Sequence, residues 1–210
     1  MINRRKLLKT GAAAGFAVSA GGLAMPALAQ GTRIKIGYVS PQSGPLAGFA
    51  ESDTFALEMF KRVAAEKGMD VEVVVTDSQS NPNRAPDAAQ ELIIEDGVHL
   101  MLVASTPETT NPVTTVCENE FIPCISTMAP WQPWFIGQQG NPGDPASWRP
   151  FDYAFHYFWG LEDVIAVFTN MWDQLDTNKK VAGLFPNDAD GNAWGDPQNG
   201  VAPGFAQDGY

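Results

Sequence analysis

From residue 33 onwards the chain switches repeatedly between apolar spacing of period two and period 3.6, each time strand first. Ile34, Ile36 and Tyr38 alternate through residues 33–39, a first strand. Phe55, Ala56, Met59, Phe60, Val63 and Ala64 then recur at helical spacing until Gly68 ends the run. Residues 71–75 read as a second strand. Ala85, Ala88, Ala89, Leu92 and Ile93 form the apolar face of a helix over 84–95. Residues 99–103 are nearly all apolar, as expected of a strand covered on both faces. A helix over 108–120 and a short strand over 122–126 complete the series. Four such alternations predict an α/β fold, a doubly wound parallel sheet with helices on both faces.

Residues 128–150 change character, becoming rich in Pro, Gly and Trp, and read as an irregular crossing segment. An aromatic strand over 153–158, a helix from 161 to 175, a buried strand over 181–185 and a polar turn over 187–192 follow. From the helix at 161 onwards these begin a second α/β lobe, too small to bury its own core by residue 210. The expectation is part of a longer two-lobed protein, or a truncated product. Its segments are a leader over 1–29, a first lobe over 30–127, a hinge crossover over 128–159, and the start of a second lobe over 160–210.

The leader carries its own signal. Asn3, Arg4, Arg5 and Lys6 open a twin-arginine export sequence, residues 11–25 are uncharged and rich in Gly and Ala, and Ala27-Leu28-Ala29 is a peptidase site. The apolar run of roughly 15 residues is short of the ~20 that span a bilayer. This predicts cleavage near Ala29 and release to the periplasm, with the twin-arginine export machinery as a partner. The 13 Lys and Arg of the chain include Arg4, Arg5, Lys6 and Lys9, so 9 remain after cleavage against 24 Asp and Glu. That surplus excludes nucleic acid as a partner. Cys117 and Cys124 are a candidate disulfide in an oxidising compartment, with two free thiols as the alternative. His99 and His156 lack ligand-like spacing, and no metal or cofactor is expected.

Open parallel sheets bind ligands beyond the carboxyl ends of their strands. Those ends carry Ser40 to Gly44, then Ser105-Thr106-Pro107, then Ser126-Thr127-Met128-Ala129. Each hydroxyl could instead be a helix cap, and Glu108 already occupies the helix position that favours negative charge. Trp131, Trp134 and Phe135 could wall a flat ligand or simply pack. No G-x-S-x-G, H-E-x-x-H, C-x-x-C or dinucleotide fingerprint occurs, so no catalytic residues and no enzyme activity are expected. Residues 188–192 imitate the start of a calcium loop, but Ala193 and Asn199 break it, which favours a surface turn.

Several segments together carry a family resemblance: Ile34 to Gly37, Ser43 to Phe49, Val103 to Thr106, Ile122 to Ser126, and Lys180 to Asp188. The chain resembles the periplasmic solute-binding proteins of branched-chain amino acid ABC transporters, the Leu/Ile/Val-binding family with the type I periplasmic binding fold. The resemblance implies two doubly wound lobes on a hinge, the second incomplete here. They would close on an amino acid or related solute and deliver it to a permease in the inner membrane. By position it assigns ligand contacts to Ser105, Thr106, Ser126, Thr127 and Ala129, and an aromatic flank to Phe49. In the second lobe Asp190 stands where the family usually has Tyr, with Trp194 close by. That departure, with the bulk of Trp131, argues for a ligand other than a small aliphatic amino acid. Two readings compete: a ligand-sensing ectodomain of a signalling system, and an exported α/β hydrolase or amidase, which would need a nucleophile–base–orienter set.

Overall fold

The computed structural model describes residues 33–210, so the expected leader and its cleavage site lie outside the described residues. Ile34–Ser40 (β1) pairs in parallel with Val71–Asp77 (β2) on one side and Leu100–Ala104 (β3) on the other. Cys124–Thr127 (β4) pairs with β3, and Ala154–His156 (β5) pairs with β4, both parallel. The order is β2-β1-β3-β4-β5. Because the order reverses after β2, right-handed crossovers place Asp53–Glu66 (α1) on one face, and Arg84–Ile94 (α2) and Pro107–Asn119 (α3) on the other. The doubly wound α/β expectation holds.

The main core lies between the sheet and the α2–α3 pair. Ala85, Ala88, Ala89 and Leu92 of α2 meet Val113 and Cys117 of α3 over Val39, Met101, Val103 and Cys124. The apolar stripe expected of α1 is rotated from its predicted position. Asp53, Leu57 and Ala64 face inward, whereas Phe55 is 70% exposed. A polar contact explains the rotation: Asp53 accepts hydrogen bonds from the Tyr38 hydroxyl at 2.8 Å and from the Ser40 hydroxyl. Once that carboxylate turns in to meet β1, Phe55, two residues on, turns out. Burial and the Asp53 carboxylate raise the pKa of Tyr38 well above its ordinary value.

The segment expected to be irregular contains a helix, Trp131–Gly137 (α4). It is held by Trp134 and Phe135, which pack with Ala129 and Ala154 in a second core cluster. The aromatic strand beyond it is the fifth strand of the first sheet. Glu118 of α3 receives the N–H groups of Asp152 and Tyr153, both at 2.9 Å, and so steers the chain into β5. Leu161–Trp172 (α5), Ala189–Trp194 (α6) and Val201–Gln207 (α7) follow, with Leu161, Val201 and Phe205 forming a third cluster.

Three expectations are corrected. Residues 181–185 form no strand and are exposed, Leu184 at 98%, because among the described residues no neighbouring strand supplies a ladder. The polar turn over 187–192 instead starts α6, since the Asp188 carboxylate caps it by accepting the Gly191 N–H at 2.7 Å. Cys117 and Cys124 are free, buried thiols rather than a disulfide. The neighbouring Cys124 thiol and burial push the Cys117 thiol well above its ordinary pKa.

Leu92 is fully buried between the helices and the sheet. Leu92→Ala should cost about 2–5 kcal/mol in urea unfolding, whereas Phe55→Ala, at an exposed site, should change stability by no more than about 0.5 kcal/mol.

Candidate functional site

In strand order 2-1-3-4-5 the topological switch point lies between β1 and β3, so the crevice opens between the exit of β1 and the exit of β3. The β1 exit is a fixed wall. The Ser43 hydroxyl donates to Asp77 at 2.6 Å, the Ser80 hydroxyl donates to the Ser43 carbonyl at 2.6 Å, and the Leu46 N–H donates to Ser80 at 3.0 Å. Gly44, at φ +85°, is required here, because a Cβ would lie 2.8 Å from the Gln79 carbonyl oxygen. This wall places Phe49, half-buried, in the short 3-10 turn Ala47–Ala50.

The β3 exit differs in having hydroxyls left over. Thr106 occupies the N-cap position of α3 with extended backbone, yet its side chain does not cap. Its Oγ1 is buried with no hydrogen-bond partner, and so is the Oγ of Ser105, a residue only 1% exposed. An unpaired buried hydroxyl costs about 1–3 kcal/mol, and here two stand in adjacent residues at the switch point. The capping alternative for these residues is thereby set aside. Ser78, just past β2, carries a third such hydroxyl that the sequence gave no reason to single out.

Register puts the next pair alongside, Val103 opposite Ser126 and Ala104 opposite Thr127. Here the hydroxyls are occupied. His156 of β5 has Nε2 2.8 Å from the Ala129 carbonyl, which can only accept, so Nε2 carries the proton. Burial lowers the His156 pKa, outweighing the Ala129 bond that raises it, and the ring is neutral at pH 7. Its Nδ1 therefore accepts the Ser126 hydroxyl at 2.8 Å. The Thr127 hydroxyl donates to the Tyr157 carbonyl at 2.8 Å. His156 also stacks on Trp134, with centroids 4.5 Å apart and planes at 11°. The sequence could not find His156, because only β5 pairing brings it beside Ser126.

Trp131 is engaged too. Its Nε1 donates to Glu162 at 2.7 Å, and its ring meets those of Phe135 and Trp148. The contact leaves no room for a side chain at Gly160, whose Cβ would lie 2.2 Å from Trp131 Nε1. Asp190 and Trp194 sit on α6, which touches both α3 and α4. The Ala189 N–H donates to Glu108 of α3 at 2.5 Å. Asp190 Oδ1 and Trp194 Nε1 are both buried without a partner. Burial, then the Glu108 and Asp188 carboxylates, push the Asp190 pKa up to about 6.

The predicted residues thus fall into three groups. Ser105, Thr106, Ser126, Thr127 and Ala129 share the rim of the sheet, Asp190 sits on α6 next to Ala189, whose N–H meets Glu108, and Phe49 and Trp131 stand on separate walls. A groove of about 920 Å³ is lined by Phe168, Trp172, Phe185, Phe205, Asp190 and Trp194 among others, and by none of the β3 and β4 hydroxyls. Among the described residues no cluster of His, Cys, Asp and Glu has the makings of a metal site.

A family profile described as periplasmic binding protein matches residues 33–198. Among solved structures, the fold is similar to a solute-binding protein of an ABC transporter from Rhodopseudomonas palustris BisB5 in complex with 3,4-dihydroxybenzoic acid. That likeness has 18% identity and a TM-score of 0.63, over 84% of this chain and 43% of the other. It is similar to an ABC transporter substrate-binding protein from Desulfitobacterium hafniense in complex with Leu, at 13% identity and a TM-score of 0.59, over 84% and 47%. An ABC transporter substrate-binding protein from Sphaerobacter thermophilus matches at 25% identity and a TM-score of 0.54, over 68% and 37%. The chain therefore spans less than half the length of each of these proteins. No curated protein sequence matches it.

Between its ordinary value of 3.8 and about 6, Asp190 holds a proton in the folded state that the unfolded chain has lost, so its contribution to stability falls as pH rises through that window. Asp190→Asn removes the penalty. Thermal melts should show the variant gaining on the wild type between pH 4 and pH 7, with the difference smallest at the acid end.

Proposed function

The chain belongs to the periplasmic binding protein family, and from that premise we propose that it serves as the substrate-binding protein of an ABC transporter. It captures a small organic solute, an amino acid or a relative of one, and delivers it to an inner-membrane permease without chemical change. Capture takes place at the carboxyl rim of the sheet, between the lobe built on the five strands, the last of them Ala154–His156, and the lobe that begins at residue 160. Export by the twin-arginine route and cleavage near Ala29 place it in the periplasm. No helix among the described residues is long and apolar enough to cross a membrane.

One observation carries the reading: the adjacent buried hydroxyls of Ser105 and Thr106 lack a partner where a doubly wound sheet binds its ligand. A solute supplying those hydrogen bonds relieves a standing cost and binds the folded state selectively. Ala129 contributes as the anchor of His156, and Phe49 and Trp131 form the flanking walls. Ser126 lies next to His156, yet it is fully buried and the ring is held by a backbone carbonyl, which leaves a hydrolase reading without an accessible nucleophile.

The test is thermal-shift screening of the full-length protein against amino acids, amides and aromatic acids, followed by calorimetry on any solute that raises the melting temperature. Ser105→Ala removes a hydroxyl that makes no internal hydrogen bond. It should raise the melting temperature of the free protein, by removing that cost, and weaken the solute about tenfold, the equivalent of one hydrogen bond. Unchanged affinity would take Ser105 out of the site.

A further inference from the structure

We propose that the solute is an organic cation: a small molecule bearing an ammonium or guanidinium group, for which a carboxylate is dispensable. The inference rests on the capture reading above and names the ligand class of that same site.

The first support is an account of protons. Ser126 gives its hydroxyl proton to His156 and Thr127 gives its own to the Tyr157 carbonyl. Ser126 is fully buried, so of the two it is Thr127 that can meet a solute, and what Thr127 retains is a lone pair, which accepts from an N–H group but cannot donate to an anion. The second support is the start of α3. Its first residue, Pro107, has no N–H, and its second, Glu108, brings a carboxylate to the place where a helix would otherwise hold an anion. The usual means of seating a carboxylate at a helix start is therefore weakened here.

The third support comes from α6. Asp190 presents a buried carboxylate oxygen with no partner, and the neighbouring charges acting on it, Glu108 and Asp188, are also negative. A cation placed there pairs with Asp190 and relieves the mutual repulsion of the three carboxylates, whereas an anion would add a fourth negative charge. Aromatic faces stand close by, since Trp194 lies one turn beyond Asp190 and meets Trp159 edge-on with centroids 5.8 Å apart. An ammonium beside an indole face gains further attraction. The unpaired donors, Ser105, Thr106 and the Trp194 N–H, then take a neutral oxygen of the solute, such as a hydroxyl or amide. Ser105 is an independent pointer to a ligand, because it is almost wholly buried in the turn leading to Glu108 and its oxygen is unpaired.

The experiment uses the full-length protein and matched probes on common carbon skeletons. These are L-leucine, 3-methylbutylamine and 4-methylpentanoate; L-phenylalanine, 2-phenylethylamine and 3-phenylpropanoate; and L-arginine with agmatine. The expected result is that at least one carboxylate-free amine or agmatine raises the melting temperature and binds within about tenfold of its parent amino acid. Asp190→Asn should weaken that probe by about tenfold or more. The ranking of probes on the wild type stands whether or not the variant folds. If 4-methylpentanoate or 3-phenylpropanoate binds and the amines do not, the cation assignment is overturned while capture of a solute survives. If amino acids bind but the amines and agmatine do not, a carboxylate is required and the assignment fails in the same way. No shift from any probe counts against both readings.

Discussion

Parallel pairing is the constraint on which the rest of this structure depends. When strands run in the same direction, their carboxyl ends meet at one rim, and a single register decides which side chains stand there together. Val103 opposite Ser126 and Ala104 opposite Thr127 fix the alignment of β3 and β4. A shift of one residue would send Ser126 to the opposite face and part it from His156. The core between α2, α3 and the sheet enforces the register, since Leu92, Met101, Val103 and Cys124 are buried only in this alignment.

Given that rim, its hydroxyl side chains divide into two kinds. Those at the exits of β1 and β4 are tied into the protein: Ser40 to Asp53, Ser43 to Asp77, Ser126 to His156, and Thr127 to the Tyr157 carbonyl. Ser105 and Thr106 at the exit of β3 are not. The switch point of the sheet lies beside them, so topology and hydrogen-bond accounting point to the same place by separate arguments. Asp190 stands near Glu108 on α6, whose first N–H Glu108 holds.

Much of the fold was legible in the sequence. The strand–helix alternation showed four strands and the doubly wound topology, since a strand buried on both faces and a helix with one apolar stripe announce themselves by period; the fifth strand was visible as an aromatic run over 153–158, but not its place in the first sheet. Elements that depend on distant partners were hidden. Phe55 looked inward until Asp53 was seen to bond Tyr38 and Ser40. Trp131–Gly137 looked irregular because its Pro and Gly residues obscure a helix that Trp134 and Phe135 hold down by burial. Residues 181–185 have strand composition but, among the described residues, no neighbouring strand, so the same pattern yields an exposed segment without a ladder.

For the site, the sequence alone determined which residue types stand at the strand ends, and hence that small hydroxyls and a nearby Asp190 are available there. Those facts follow from local pattern, because strands end where alternation ends. Only the tertiary structure decided what each hydroxyl does with its proton. That choice belongs to groups remote in the chain, such as the Ala129 carbonyl setting the tautomer of His156 and His156 in turn accepting from Ser126. A hydroxyl written identically in the sequence is thus structural at Ser126 and unspent at Ser105, because folding brings a partner to one and withholds it from the other.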